Sequence, residues 1–74
     1  MSDRVHFPNL QAEMARKKVR QGDLAQLLGL SEAQVSRKLN GIRDIGLAEM
    51  LAIRDAYFHD CEIDHLFKKE PYYG

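Results

Sequence analysis

One segment, residues 20–41, constrains the fold of this chain more than any other. Its first part has apolar residues at the helical spacing of one buried face, at Leu24, Ala25, Leu27 and Leu28. Gly29 follows directly, and glycine is the residue that most readily adopts the positive φ that ends a helix. The segment therefore predicts a short amphipathic helix over 21–28, closed by a tight turn.

A second short helix is predicted over 32–39. Ser31 is a strong N-cap, and Gln34 three residues later completes a capping box, in which each side chain satisfies the other's free backbone N–H. Val35 and Leu39 form its buried side. The residues predicted to face outward are Glu32, Ala33, Gln34, Ser36, Arg37 and Lys38. A short polar helix held on a rigid partner helix fits the major groove of DNA.

The rest of the chain carries helical patterns and no strand alternation. A first helix over 10–19, capped by Asn9, would turn Leu10, Met14, Ala15 and Val19 inward. A fourth helix over 47–58 offers the core Leu47, Met50, Leu51, Ile53, Ala56 and Tyr57 or Phe58, and a fifth over 62–67 offers Ile63, Leu66 and Phe67. The fold class is therefore predicted as all-α, a compact five-helix domain.

With 74 residues, the chain is long enough for one small domain with a limited core. We expect an N-terminal arm over 1–8, a helical domain over 9–67 and a C-terminal tail over 68–74. Pro71 discourages further helix in that tail.

The net charge of zero conceals an asymmetry along the chain. Residues 1–43 hold eight Lys and Arg against four acids, a net charge of +4, whereas residues 44–74 hold three against seven, a net charge of −4. The local field at a docking face matters more than the total charge. A basic half that carries the helix pair suits a nucleic-acid partner, although solvated faces can produce the same split.

The sequence argues against a disulfide-linked protein, a metalloprotein, an enzyme and a membrane protein. Cys61 is the only cysteine, so no internal disulfide is possible, and the spacing of His59, Cys61 and His65 does not form a metal site. We expect no metal, no cofactor, no small-molecule substrate and no enzymatic activity, because no nucleophile has a matching base. The chain has neither a membrane-length apolar run nor a signal peptide, which predicts a cytoplasmic protein.

The helix pair resembles the lambda repressor and Cro-like family, also called the Xre family. The similarity lies in Gln21-x-x-Leu-Ala-x-x-Leu-Gly-Leu-Ser-x-x-x-Val-Ser-Arg-x-x-Asn-Gly41 and extends over about Asn9 to Phe67. Cys61-x-Ile-Asp-x-Leu-Phe67 is similar to the fifth helix of those domains. Ser36 to Gly41, with Phe7-Pro-Asn-Leu10 upstream, resembles small phage-encoded regulators of Gram-positive bacteria.

The resemblance implies a lambda-repressor-like fold and a set of DNA contacts. Base-contact positions would be Glu32, Ala33, Gln34, Ser36 and Arg37. Phosphate-contact positions would be Gln21, Lys38, Asn40 and Arg43. Arg37 has the chemistry for a bidentate bond to guanine, and Glu32 for accepting from cytosine N4.

Alternatives stay open for four of these residues. Gln34 is the capping-box partner of Ser31, and Arg37 can form an ion pair with Glu32 instead. Asn40 can be a turn former, and Gln21 a solvated glutamine.

Three departures from the family pattern affect helix starts. Arg20 occupies the place of the usual Ser or Thr cap before Gln21, so the second helix should start less stably. Gly22 replaces a helix former, at a cost of about 1 kcal/mol. The fourth helix begins after Gly46, which has no side-chain acceptor.

The resemblance predicts a transcriptional regulator, a phage or prophage repressor or Cro-like protein, with double-stranded DNA as its partner. A homodimer is expected, at least on DNA, with a self-association surface among Ile63, Leu66, Phe67, Tyr72 and Tyr73; the alternative is that these residues complete the core. The second hypothesis is a protein-interaction module, antitoxin-like or an anti-repressor adaptor, whose acidic half binds a partner. A phage structural or packaging protein is a third.

Overall fold

Five short helices, joined by turns and loops, build the part of the chain that the structure describes. A computed structural model of the protein describes residues 5–71. The elements in chain order are β1 (Val5–His6), α1 (Pro8–Lys17), α2 (Gln21–Leu28), α3 (Glu32–Leu39), α4 (Leu47–Tyr57), α5 (Ile63–Leu66) and β2 (Glu70–Pro71). The all-α prediction is confirmed, and α2 and α3 have the predicted bounds. No helix within residues 5–71 combines the length and the apolar character needed to cross a bilayer.

The first helix begins earlier than predicted, and Asn9 is not its cap. Pro8 occupies the first helical position, where its fixed φ suits the helix and its missing N–H costs nothing. The Asn9 side chain instead donates from Nδ2 to the carbonyl oxygen of His65 at 2.8 Å, which ties α1 to α5. Lys18, with φ of 58°, ends the helix in the left-handed region.

The core lies where all five helices meet. Its buried side chains are Phe7, Leu10, Met14, Leu24, Ala25, Val35, Leu39, Ile53, Phe58, Leu66 and Phe67. Phe7, predicted to lie in the arm, is 2% exposed, and its ring lies edge-on to that of Phe67 with centroids 5.7 Å apart. Leu66 and Phe67 therefore complete the core, which is the alternative that the sequence analysis gave for them, and they are not available as a self-association surface.

Some residues predicted to be inside are exposed. Ala15 and Ala56 face outward, and Leu47 is 66% exposed. The fourth helix has apolar residues on several sides, so only one of its faces can be buried: Ile53 is in the core while Leu47 and Leu51 share another face. Sequence periodicity did not distinguish these faces, because α4 has no polar stripe that defines one.

The two ends of the described chain pair with each other. β1 and β2 form a two-residue antiparallel ribbon in which Val5 faces Pro71 and His6 faces Glu70. The packed structure therefore extends beyond the expected 9–67 domain on both sides. The remainder of the expected arm and tail, residues 1–4 and 72–74 including Tyr72 and Tyr73, lies outside the described residues.

Candidate nucleic-acid interface

The turn between α2 and α3 is fixed by the residues that predicted it. Gly29 has φ of 69° and ends α2. The backbone N–H of Gln34 donates to the Ser31 hydroxyl oxygen at 3.1 Å, and the Ser31 N–H donates to Gln34 Oε1 at 2.8 Å. The capping box is thereby confirmed, and it holds the side chain of Gln34 against the start of α3. Gln34 is therefore the capping-box partner of Ser31, the alternative that the sequence analysis gave for it.

One side of α3 is buried and the other faces solvent. Val35 and Leu39 are 2% and 3% exposed, and they anchor the helix to the core. The exposed side chains are Glu32, Ala33, Gln34 and Arg37. Ser36 and Lys38, predicted to face outward, are half-buried. The helix therefore presents a narrower polar face than the sequence suggests, with Arg37 as its exposed cation.

The start of α2 is capped by a residue that sequence reasoning missed. The Asp23 carboxylate accepts a hydrogen bond from the backbone N–H of Arg20 at 2.9 Å. This is one of the two bonds of a capping box, and the other is missing because the Arg20 side chain has no acceptor. Aspartate three residues after the cap was the available signal. Gln21, the first residue of α2, is half-buried beside this contact.

The side chain of Glu32 lies over this same helix start. A Cβ placed on Gly22 would lie 3.5 Å from the carboxyl carbon of Glu32 and 3.6 Å from one of its oxygens. The carboxylate of α3 thus lies against the first turn of α2, where the helix dipole favours negative charge. Gly22 directly follows Gln21, the residue that the family resemblance assigns to a DNA phosphate.

Lys38 is held by α4 and the loop before it. Its ammonium group donates to Glu49 Oε1 at 3.1 Å and to the carbonyl oxygen of Asp44 at 3.0 Å. Glu49 also accepts the N–H of Gly46 at 3.0 Å. This bond caps the start of α4 although Gly46, the N-cap residue, has no side chain to do so. The Gly46 N–H and then Lys38 lower the pKa of Glu49 below its ordinary value, against partial desolvation. Lys38 therefore stabilises the α3–α4 loop, and a phosphate would compete for its bonds.

The loop after α3 folds back on the helix. The side-chain amide of Asn40 donates to the carbonyl oxygen of Ser36 at 2.8 Å, so Asn40 closes the end of α3. Gly41, with φ of 75°, reverses the chain. The N–H groups of Ile42 and Arg43 then reach the carbonyl oxygen of Arg37 at 2.9 and 3.2 Å. This turn places the exposed Arg43 next to the end of the polar helix.

A groove of about 630 Å³ runs between α3 and this loop. Its lining residues are Leu30, Gln34, Arg37, Lys38, Ile42, Arg43 and Asp44. Four of the nine predicted contact residues therefore meet around one groove, while Gln21 and Glu32 lie at the start of α2. Sequence reasoning did not anticipate the groove, because the folded loop creates it.

The ion pairs lie mostly away from this surface. Within residues 5–71, cations that pair with acids are Arg16, Lys17, Lys38 and Arg54. Among the described residues neither Arg37 nor Arg43 has an acidic partner. The alternative ion pair between Arg37 and Glu32 is therefore not formed, and the groove has a positive local field.

The histidines and the cysteine take no part in this surface. No group of three His, Cys, Asp or Glu side chains in residues 5–71 is arranged to hold a metal ion. Cys61 is half-buried against the core, and burial raises the pKa of its thiol. That environment favours the inert thiol form.

Taken together, the helix pair, its rigid turn and the exposed polar α3 define a helix-turn-helix DNA-binding domain. Comparison with family models agrees: residues 9–71 match the Cro/C1-type HTH DNA-binding domain. The chain belongs to the Cro/C1-type helix-turn-helix family, and it is a DNA-binding protein of the regulator type. No curated protein and no solved structure matches it.

Proposed function

We propose that this protein is a sequence-specific transcriptional regulator of phage or prophage type, a repressor or Cro-like protein, that inserts α3 into the major groove of double-stranded DNA. The observation that carries the proposal is the geometry of Arg37. It lies on the exposed face of a helix whose other face is buried, and among the described residues it has no acidic partner. A guanidinium free of protein partners is available for a bidentate bond to guanine.

The other base contacts would come from the same face of α3. Glu32, Ala33 and Gln34 open the helix and are exposed, whereas Ser36 is half-buried and reaches less far. Ala33 would pack on a thymine methyl group. The Gln34 side chain is already bonded to the Ser31 backbone through its Oε1. Its contribution to base recognition would therefore be smaller.

Phosphate contacts would flank the helix on both sides. Gln21 at the start of α2 and Arg43 in the loop are the stronger candidates, because neither side chain has a hydrogen bond to another described residue in the structure. Asn40 and Lys38 hold the loop in place and would reach DNA only by sharing their bonds. These contacts position the protein without specifying sequence.

The protein would act as a homodimer on DNA, with recognition helices about 34–36 Å apart on half-sites one helical turn from each other. The support is a set of exposed apolar side chains that differs from the predicted one. Ile42 is 53% exposed, Leu47 is 66% exposed and Leu51 lies one turn further along α4. Ile42 lies in the α3–α4 loop and Leu47 is the first residue of α4, so these side chains follow α3 closely in the chain.

The test is random-site selection with the purified protein at about 100 mM salt, followed by a salt titration on the selected sequence. We expect an enriched pseudo-palindrome with half-sites near one turn apart. The salt titration is needed because phosphate binding alone produces a salt-sensitive affinity without sequence preference. Weak binding with no enriched sequence would overturn the regulator and favour a protein partner for the acidic half.

A further inference from the structure

A second groove, of about 360 Å³, lies on the other side of the α3–α4 loop. Its lining includes Phe7, Arg43, Asp44 and Lys69. Lys69 comes from the C-terminal half of the chain, which carries the net negative charge, yet the fold places it beside the loop that follows the recognition helix. The charge split along the sequence therefore does not describe the charge of this surface.

The ribbon between the two chain ends explains this position. The register pairs Val5 with Pro71 and His6 with Glu70, so Phe7 directly follows one strand of the ribbon and Lys69 directly precedes the other. Phe7 is buried in the core and fixes this part of the chain. Lys69 is exposed, and the ribbon holds its backbone at the edge of the groove.

The two grooves adjoin each other at the α3–α4 loop. They share Lys38, Arg43 and Asp44 in their linings, with Arg37 lining the first groove and Lys69 the second. Lys38 is neutralised by Glu49. Among residues 5–71, neither Arg43 nor Lys69 has an acidic partner. Of the residues within 5–71 that line either groove, Asp44 is the only acid.

We propose that Lys69 binds a backbone phosphate of the same double-stranded DNA that α3 reads, next to the phosphate held by Arg43. This inference rests on the proposed function and adds a contact outside the helix-turn-helix. A DNA strand that borders the major groove passes the end of the recognition helix and the loop after it. Lys69 then extends the phosphate track beyond the loop, and the contact is independent of sequence.

The test compares Lys69→Ala with Lys68→Ala on the selected DNA duplex and on a scrambled duplex of equal length. Lys68 is the matched control, because it is the neighbouring exposed lysine, carries the same charge and does not line the groove. Affinity is measured by fluorescence anisotropy across a salt series. Lys69→Ala should make the slope of log K, the logarithm of the association constant, against log salt less negative by about one. It should also lower the affinity at about 100 mM salt by about eightfold, and both effects should appear on both duplexes. Lys68→Ala should change little.

The outcomes separate this inference from the proposed function. Equal losses in the two variants would show a general effect of net charge and overturn the Lys69 contact. If both variants kept the wild-type salt slope, the Lys69 contact would be overturned as well. The proposed regulator function would still be supported by the preference of the wild-type protein for the selected duplex. A wild-type protein without such a preference would overturn the proposed function itself. Restoration of the slope by Lys69→Arg would support a phosphate contact.

Discussion

The ammonium group of Lys38 lies 3.1 Å from a carboxylate oxygen of Glu49, and this pair joins α3 to the first turn of α4. The same oxygen accepts the N–H of Gly46, and Lys38 also reaches the carbonyl oxygen of Asp44. The three bonds close the loop on both sides of Arg43. The position of Arg43, a proposed phosphate contact, therefore depends on Glu49, an acid outside the proposed set of DNA contacts.

Glu49→Ala should lower the free energy of unfolding by about 1 kcal/mol at pH 7, because it removes a helix cap and a half-buried ion pair. The pKa of Glu49 is lowered from its ordinary 4.5, so its contribution is present above that value and is lost as pH falls through the lower folded-state pKa. Urea denaturation of wild type and variant at pH 7 and at about pH 3 measures the difference.

The control for this prediction is Glu62→Ala. Glu62 precedes α5 without a side-chain cap bond, so its removal should change little at either pH. A wild-type advantage over Glu49→Ala that is as large at pH 3 as at pH 7 would show that ionised Glu49 is not its source.

Phe7→Ala should lower the free energy of unfolding by about 3–5 kcal/mol, which is a large part of the stability of so small a domain. Phe7 is 2% exposed and its ring packs edge-on against Phe67. Leu27→Ala, at a side chain 39% exposed that belongs to neither groove nor the proposed dimer surface, is the control and should cost about 1 kcal/mol or less. Urea denaturation measures the free energy of unfolding of both variants. A loss in Phe7→Ala as small as in the control would mean that Phe7 behaves as part of a loose arm.

The sequence alone predicted the helix-turn-helix accurately because its signals are local. Gly29, Ser31 and Gln34 fix a turn and a helix start within six residues, and each makes the predicted contact or adopts the predicted conformation. The exposure of Arg37 also followed from helical spacing around Val35. These features need no information about the rest of the chain.

The missed features join residues that are distant in sequence or depend on which helix face packs. The sequence predicts Asn9 as a helix cap, whereas its side chain bonds His65, 56 residues away. The ion pair of Lys38 with Glu49 is not predicted by the sequence, and the phosphate contact of Lys38 stays a prediction. Lys69 falls in the predicted tail, because the ribbon next to it is only two residues long on each side. Such contacts leave no periodic signal in a single sequence.

Arg37→Ala should lose about 1–3 kcal/mol of binding free energy on the selected site and relax the preference at one base pair. Arg43→Ala is the matched variant, because it removes the same side chain from the adjacent loop, where we propose a phosphate contact. It should weaken selected and scrambled duplexes alike and lower the salt slope by about one. Identical behaviour of the two variants on both duplexes would show that the division between base and phosphate contacts is wrong.

Leu47→Asp should weaken self-association without unfolding the domain. Leu47 is 66% exposed, so the new carboxylate stays in water in the monomer but would be desolvated between two copies. Sedimentation velocity and DNA titrations on full and half operators measure the effect, and circular dichroism confirms the fold. We expect the variant to bind the two operators with nearly equal affinity. Unchanged dimerisation would exclude this face of α4 from the interface.

Glu32→Gln distinguishes two roles for the acid at the start of α3. Its carboxylate lies against Gly22 in the first turn of α2, and the residue before Gly22 is Gln21, where we propose that a DNA phosphate binds. If the carboxylate repels that phosphate, the variant should bind every duplex about two- to fivefold more tightly, and the gain should shrink as salt rises. If Glu32 accepts from cytosine N4 instead, affinity should fall on the selected site only, and the preferred base should change. Glu62→Gln, which removes the same charge away from both grooves, is the control, and an equal gain in it would assign the effect to net charge.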